Sequence, residues 1–263
     1  MRIIALANQK GGTGKTTTAV NLGAALAERK RHVLLMDLDP QSHLTAHLGL
    51  EATGQGLYDV FLGGASMTDV IRREVSPRLD VVPGGLELAA AEVEVAGEVG
   101  REVLLRKAIA TVADEYDYIL MDCSPSLGLL TVNALTAARE VFIPVQAEWL
   151  ALRALGQLLE TVQVVQERLN PELEITGVIV CMYKARRVLC GQVVEALKEH
   201  FGRRVFKTVI RENIRLAEAP SHGVPIITYD PRSRGAEDYR ALAREVLAQE
   251  RRRAAAAQGK DKK

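Results

Sequence analysis

Short apolar runs alternate along this chain with longer segments whose apolar positions recur at helical spacing. Ile3-Ile4-Ala5-Leu6-Ala7 predicts a buried first strand over residues 2–8. Residues 16–29 follow as a helix, with Val20, Leu22, Leu26 and several alanines on its packing surface. Val33 to Met36 reads as a second strand, stopped by Pro40. Residues 42–78 look irregular, with short helices near 42–48 and 57–62. Strands are expected at 79–83, 116–122, 140–145, 175–181 and near 205–210. Helices are expected at 86–96, 101–114, 127–138, 147–168, around 190–200 and at 236–250. Ile226 to Tyr229 reads as a short extended run. This alternation predicts an α/β fold: a twisted, mostly parallel β-sheet with helices on both faces. Residues 1–250 form one domain in this reading. Residues 251–263 form a basic, disordered tail, frayed like many chain ends.

Composition changes the picture little. With 263 residues, 48% hydrophobic and 25% charged, the chain can bury a sizeable core. The net charge of +1 neither demands nor forbids an acidic partner. At 4% aromatic content, base stacking is a weak prospect. Cys123, Cys181 and Cys190 show neither metal-ligand spacing nor a disulfide framework, which favours a reducing compartment. The apolar N-terminus is too short for a signal peptide, and no apolar run approaches membrane length.

The candidate chemistry begins between the first strand and the first helix, at Lys10-Gly11-Gly12-Thr13-Gly14-Lys15-Thr16. Strand, glycine turn and helix in that order make a P-loop. Gln9 stands where the generic motif opens with glycine, and Lys10 is an extra lysine five residues ahead of Lys15. Gly11, Gly12 and Gly14 let the backbone wrap a polyphosphate, and the helix N-terminus adds positive field. Lys15 is expected on the β- and γ-phosphates and Thr16 on magnesium. Asp37 and Asp39 end the second strand, where open α/β sheets bind ligands. Lying two apart, they face one side in extended backbone. One suits the magnesium or the P-loop, the other a water near the γ-phosphate. Asp122 closes another apolar strand and is expected to meet magnesium through water. Cys123 reads as a small buried side chain. His43 and His47 have the i,i+4 spacing of zinc helices, but the intervening Glu and a third ligand are missing. Trp149 reads equally as core or as a border of the active site. Lys184, Arg186, Arg187, Arg203, Arg204, Lys207, Arg211 and Arg215 cluster in the last third, as solvated surface or as a patch for phosphate backbones. Asn213, Pro220 and Pro225 are placed to shape a pocket for a base.

Three stretches carry a resemblance: Asn8 to Thr18, Asp37-Leu38-Asp39-Pro40-Gln41, and Asp122-Cys123-Ser124-Pro125-Ser126. With Asn213 to Gly223 and Tyr229 to Ala236, they make the chain resemble the ParA/Soj family of chromosome- and plasmid-partitioning ATPases, in the P-loop NTPase group that includes MinD. The likeness covers about residues 2–250. It implies a magnesium-dependent ATPase, cytoplasmic and nucleoid-associated, in which two chains sandwich two ATP molecules. Lys10, Lys15 and Asp39 would be catalytic, Lys10 crossing to the partner's nucleotide and Asp39 orienting water. Gly11, Gly12, Thr13, Gly14, Lys15, Thr16, Thr17 and Asn213 would bind ATP. Thr16, Asp37 and Asp122 would serve Mg2+. Arg186, Arg187 and Arg215 would contact double-stranded DNA without sequence preference. A ParB-like centromere-binding protein would stimulate hydrolysis and release the homodimer. Ser42-His43-Leu44-Thr45, Ser124 and Arg211-Glu212 depart from the family pattern. The tail lacks the bulky apolar face of a MinD membrane helix, so no membrane partner is expected. The alternative is a MinD-like or other signature-lysine ATPase that positions a protein or membrane cargo. An iron–sulfur reductase is disfavoured because Cys181 and Cys190 form no close pair.

Overall fold

Alternate residues of each strand feed two separate cores. On β1 (Arg2–Leu6), Ile3 and Ala5 face one core, while Ile4 and Leu6 face the other. A computed structural model describes residues 1–51, 54–148 and 155–260, the last five of these as backbone only. After β1 come α1 (Lys15–Glu28), β2 (Val33–Leu38), α2 (His43–His47), α3 (Leu57–Phe61) and α4 (Met67–Val70). Next are β3 (Arg72–Ser76), β4 (Leu79–Val82), α5 (Leu88–Glu94), α6 (Leu104–Ala110), β5 (Tyr118–Cys123), α7 (Leu129–Ala137) and β6 (Glu140–Gln146). The chain continues through α8 (Leu155–Arg168), β7 (Glu174–Cys181), α9 (Val188–Phe201), α10 (Ile214–Glu218), α11 (Ile226–Tyr229) and α12 (Arg234–Lys260).

The strands form one sheet in the order β3-β4-β2-β5-β1-β6-β7. Every pairing is parallel except β3 with β4. Helices cover both faces, as the βα alternation requires. Helix α1 packs beside α12 on one face, through Leu22 and Leu26 against Leu242 and Val246. The carboxyl ends of β1, β2 and β5 therefore lie side by side, and the P-loop, Asp37 and Asp122 come together there. The N-terminal strand is tied to α12 by a buried cluster. The Arg2 guanidinium donates to both Glu140 oxygens at 2.7 and 2.6 Å and to Gln249 at 2.8 Å.

Four expectations change. Within the stretch read as irregular, Arg72–Ser76 is an edge strand, whose polar sequence hides it from hydropathy reading. Residues 205–210 form no strand, only an isolated bridge from Val205 to Val178. The Glu245 carboxylate takes the N–H groups of Lys207 and Thr208, which interrupts any ladder. Ile226–Tyr229 is a helical turn, because Thr228 and Tyr229 both donate to the Pro225 carbonyl. The last helix passes residue 250 and continues to Lys260. Arg253 pins it to Glu140 at 2.8 Å and Glu174 at 2.7 Å, and the alanines beyond are the best helix formers. Trp149, Leu150 and Leu152 lie outside the described residues, as do 261–263.

Phe142 pairs with Gly177 across β6 and β7, and its ring meets Phe206 edge-on. A Cβ at Gly177 would lie 2.5 Å from Phe206 and 2.6 Å from Phe142. Gly177→Ala should therefore destabilise the chain by about 1–3 kcal/mol through overpacking, read as a lower denaturant midpoint at constant slope.

Candidate functional site

The P-loop follows β1 directly and turns on glycines where the backbone requires them. Gly12 has φ 73° and Gly14 has φ 92°, both in the left-handed region, and Gly14 caps α1. A cavity of about 670 Å³ opens over this turn. Gly11, Gly12, Gly14, Lys15, Thr16 and Thr17 form its floor, and Asp39 and Gln41 stand on the wall. Gly14, Thr17 and Met182 continue into a second cavity of about 230 Å³, where Asn213 lies. The structure thus places the predicted loop and Asp39 on one cavity and Asn213 on a second that shares Gly14, Thr17 and Met182 with it. Asn213 itself caps α10, its side-chain oxygen accepting from the Arg215 N–H at 2.8 Å.

Charges beneath the loop are short of partners. Asp122 is buried, and neither carboxylate oxygen has a hydrogen-bond partner among the described residues. Burial first, and then the Asp37 charge, push its pKa well above the usual carboxylate range, while Thr16 and Lys15 pull the other way. Burial also lowers the Lys15 pKa, against the attraction of Asp122, Cys123 and Asp39. Among the described residues the Lys15 ammonium donates only to the Lys10 carbonyl, at 3.4 Å. The buried Thr13 hydroxyl also has no partner among the described residues. An unpartnered carboxyl close to the Lys15 ammonium fits a magnesium-bound polyphosphate, which supplies both a cation and anionic oxygens.

Asp37 has a different environment from Asp39. Its Oδ2 accepts from the Thr45 N–H at 2.9 Å and the Thr45 hydroxyl at 2.7 Å, and its Oδ1 accepts from the Asp39 N–H at 3.3 Å. Burial raises its pKa, and the Thr45 bonds oppose that rise. It anchors the loop from β2 to α2, whereas Asp39 stands on the cavity wall. Ser42 in that loop has φ 54°, a left-handed conformation unusual for a side chain with a Cβ. Lys10 reaches along its own chain: its Nζ donates to Glu148 at 2.9 Å and Gln146 at 3.2 Å. Cys123 is buried as expected, and burial pushes its thiol pKa far upward, which suits a packing role.

The DNA candidates come together by backbone pairing. The Tyr183 N–H donates to Ile210 O at 3.0 Å and the Glu212 N–H to Tyr183 O at 3.2 Å, which sets the 183–187 loop against the 210–215 segment. Arg186 and Arg187 are exposed, with no ion pair among the described residues. Arg215 is paired with Glu218 at 2.8 Å and Asp230 at 3.6 Å, and Lys184 with Glu212 at 2.6 Å.

Residues 1–175 match a protein-family profile described as an AAA domain. The chain is 53% identical over 249 residues to the sporulation initiation inhibitor protein Soj of Bacillus subtilis, covering 94% of this chain and 98% of that one. The chain belongs to the ParA/Soj family. The chromosome partitioning protein ParA of Caulobacter vibrioides is 46% identical over 261 residues, 98% of each chain. Among solved structures, cobyrinic acid a,c-diamide synthase from Mycobacterium smegmatis, with bound ATP analog and magnesium, superposes with a TM-score of 0.83. It is 35% identical and covers 94% of each chain. This ParA/Soj chain is a P-loop ATPase of the partitioning type.

Sequence reasoning missed two parts of the site. Gln146 and Glu148 hold Lys10, and nothing in their spacing signals it. The short helix expected near 42–48 does border the P-loop cavity, and what the sequence reading left out is that both His43 and His47 line it. Thr45 is the hinge of the arrangement, since its hydroxyl donates to Asp37 and accepts from the Gly84 N–H at 2.9 Å. Thr45→Val should cost about 1–3 kcal/mol in denaturant unfolding by leaving buried partners unpaired. A change below about 0.5 kcal/mol would mean that Thr45 does not fix this loop.

Proposed function

We propose that this ParA/Soj-family ATPase segregates DNA: an ATP-bound homodimer binds DNA without sequence preference and lets go after hydrolysis. The observation that carries this reading is a pair of cavities joined at Gly14, Thr17 and Met182, one holding the P-loop, Lys15 and Asp39 and the other Asn213, with Arg186 and Arg187 exposed on the adjoining loop. Thr16 and Asp122 are the residues that would hold Mg2+, with Asp37 steadying them through the loop. Magnesium held there would supply positive charge against the phosphates.

The chain's own residues supply the rest. Lys15 and the P-loop N–H groups hold the β- and γ-phosphates and oppose charge that builds on the transferring group. Asp39, on the cavity wall, orients the attacking water and accepts its proton. Asn213 borders the base. Lys10 leaves Glu148 and Gln146 and reaches the partner's triphosphate, so that closure of the pair and completion of each site are one event. Nucleotide at such an interface stabilises the dimer by linkage. Doubling the arginine surface then raises DNA affinity steeply. A ParB-like centromere-binding partner that accelerates hydrolysis completes the cycle, in a cytoplasmic, nucleoid-associated setting. No helix among the described residues is long and apolar enough to cross a membrane.

A titration of unrelated DNA duplexes with ATP or ADP, with mass measured alongside, tests the reading. ATP with magnesium should give dimers that hold DNA at low salt and release it as salt rises, and ADP should give neither. Lys15→Ala should abolish nucleotide binding. Asp39→Ala should keep the ATP dimer and lose turnover; fast turnover by that variant would deny Asp39 its role. Replacing Arg186 and Arg187 together by alanine should lower the salt slope by about 0.9 for each phosphate left without its arginine. Dimers that bind acidic vesicles and ignore DNA would replace this reading by cargo or membrane positioning.

A further inference from the structure

Helix α2 supplies a wall of the ATP-site cavity that no P-loop residue accounts for. His43 and His47 lie one helical turn apart and both line it. The helix is fixed at its middle by the Thr45–Asp37 bonds and at its end by the approach of Gly49 to Gly223. A Cβ on Gly223 would meet the Gly49 Cα at 3.0 Å, so that approach tolerates no side chain. His47 is only 3% exposed, and its Nε2 is enclosed with no hydrogen-bond partner among the described residues. Leaving a buried polar nitrogen unpaired is costly, and native structures seldom do so without a ligand, ion or water to satisfy it. Burial lowers the His47 pKa to about 4, so the ring is neutral near pH 7 and carries one N–H donor.

Position along the cavity narrows what that donor meets. The exposed His43 starts α2, close in sequence to Asp39 and Gln41, at the end assigned to the γ-phosphate. His47 is one turn further on, where α2 packs against the turn Ala219–His222, whose Pro220 and Ser221 line the same cavity. The P-loop residues line this same cavity, which shares Gly14, Thr17 and Met182 with the cavity of Asn213. A nucleotide with its phosphates on the P-loop and its base beside Asn213 runs its sugar–phosphate segment through the cavity that His47 lines. We propose that His47 hydrogen-bonds an oxygen of the sugar–phosphate segment of the bound nucleotide. The ring's terminal torsion is broad, and its turning toward the cavity is part of the proposal. This proposal rests on the reading of the cavity as an ATP site.

The test measures Mg-ADP and Mg-ATP affinity by calorimetry for the full chain, His47→Phe and His47→Gln. Phenylalanine keeps a ring and removes the donor, while glutamine keeps a donor. His47→Phe should bind both nucleotides about tenfold more weakly. His47→Gln should recover most of that loss. Equal losses for ADP and ATP place the contact before the γ-phosphate, and a loss confined to ATP overturns the proposal. Sugar analogues lacking one hydroxyl separate the two oxygen sources: a mutational effect that vanishes with a deoxy-ADP assigns the sugar, and one that persists assigns the phosphate. The ring-nitrogen NMR signal of His47 in the unmutated chain should shift on adding ADP; an unmoved signal overturns the proposal without any variant having to fold. An unmutated chain that takes up no nucleotide overturns the cavity reading itself. Normal uptake by both that chain and His47→Phe overturns this proposal alone.

Discussion

Two carboxylates buried side by side govern this structure. The register of β2 on β5 sets Asp37 opposite Asp122, with both side chains removed from water. Charged groups so placed cost several kcal/mol each unless neighbours compensate. Asp37 has its compensation in Thr45 and the Asp39 N–H. Asp122 has only the opposing pull of Thr16 and Lys15 against burial and the Asp37 charge. The sheet thus carries an electrostatic deficit at the carboxyl ends of its central strands, and metal-bound triphosphate is the ligand whose charges cancel it.

That deficit was legible in the residues because its parts sit in short motifs. The P-loop lies between an apolar run and an alanine-rich helix. Asp39 and Asp122 each close a hydrophobic strand, and the strand ends converge through the parallel topology that βα alternation demands. What stayed hidden depends on contacts between distant segments. Edge strand β3 is polar, so hydropathy cannot mark it. The break in the pairing of residues 205–210 comes from Glu245 on a remote helix. The arginines at 186, 187 and 215 were visible as a cluster, but only the pairing of Tyr183 with its neighbours shows that the two loops adjoin and that Arg215 already has acidic company.

The departures around α2 also gain a physical context. Ser42 adopts a left-handed backbone, and its hydroxyl donates to the Pro40 carbonyl at 3.4 Å. The helix that follows is nevertheless held by Asp37, so the strain sits between two anchored points. A loop built this way keeps Asp39 on the cavity wall at some cost in backbone energy, in line with strained conformations gathering near functional sites.

The bond between Lys10 and Glu148 has a kinetic meaning. Its two side chains are 31% and 49% exposed, and ion pairs in such surroundings are worth at most about 1 kcal/mol. A clasp that weak shifts an association equilibrium by less than tenfold, too little to act as a lock. It instead leaves the ammonium free to trade Glu148 for another anionic group at little cost.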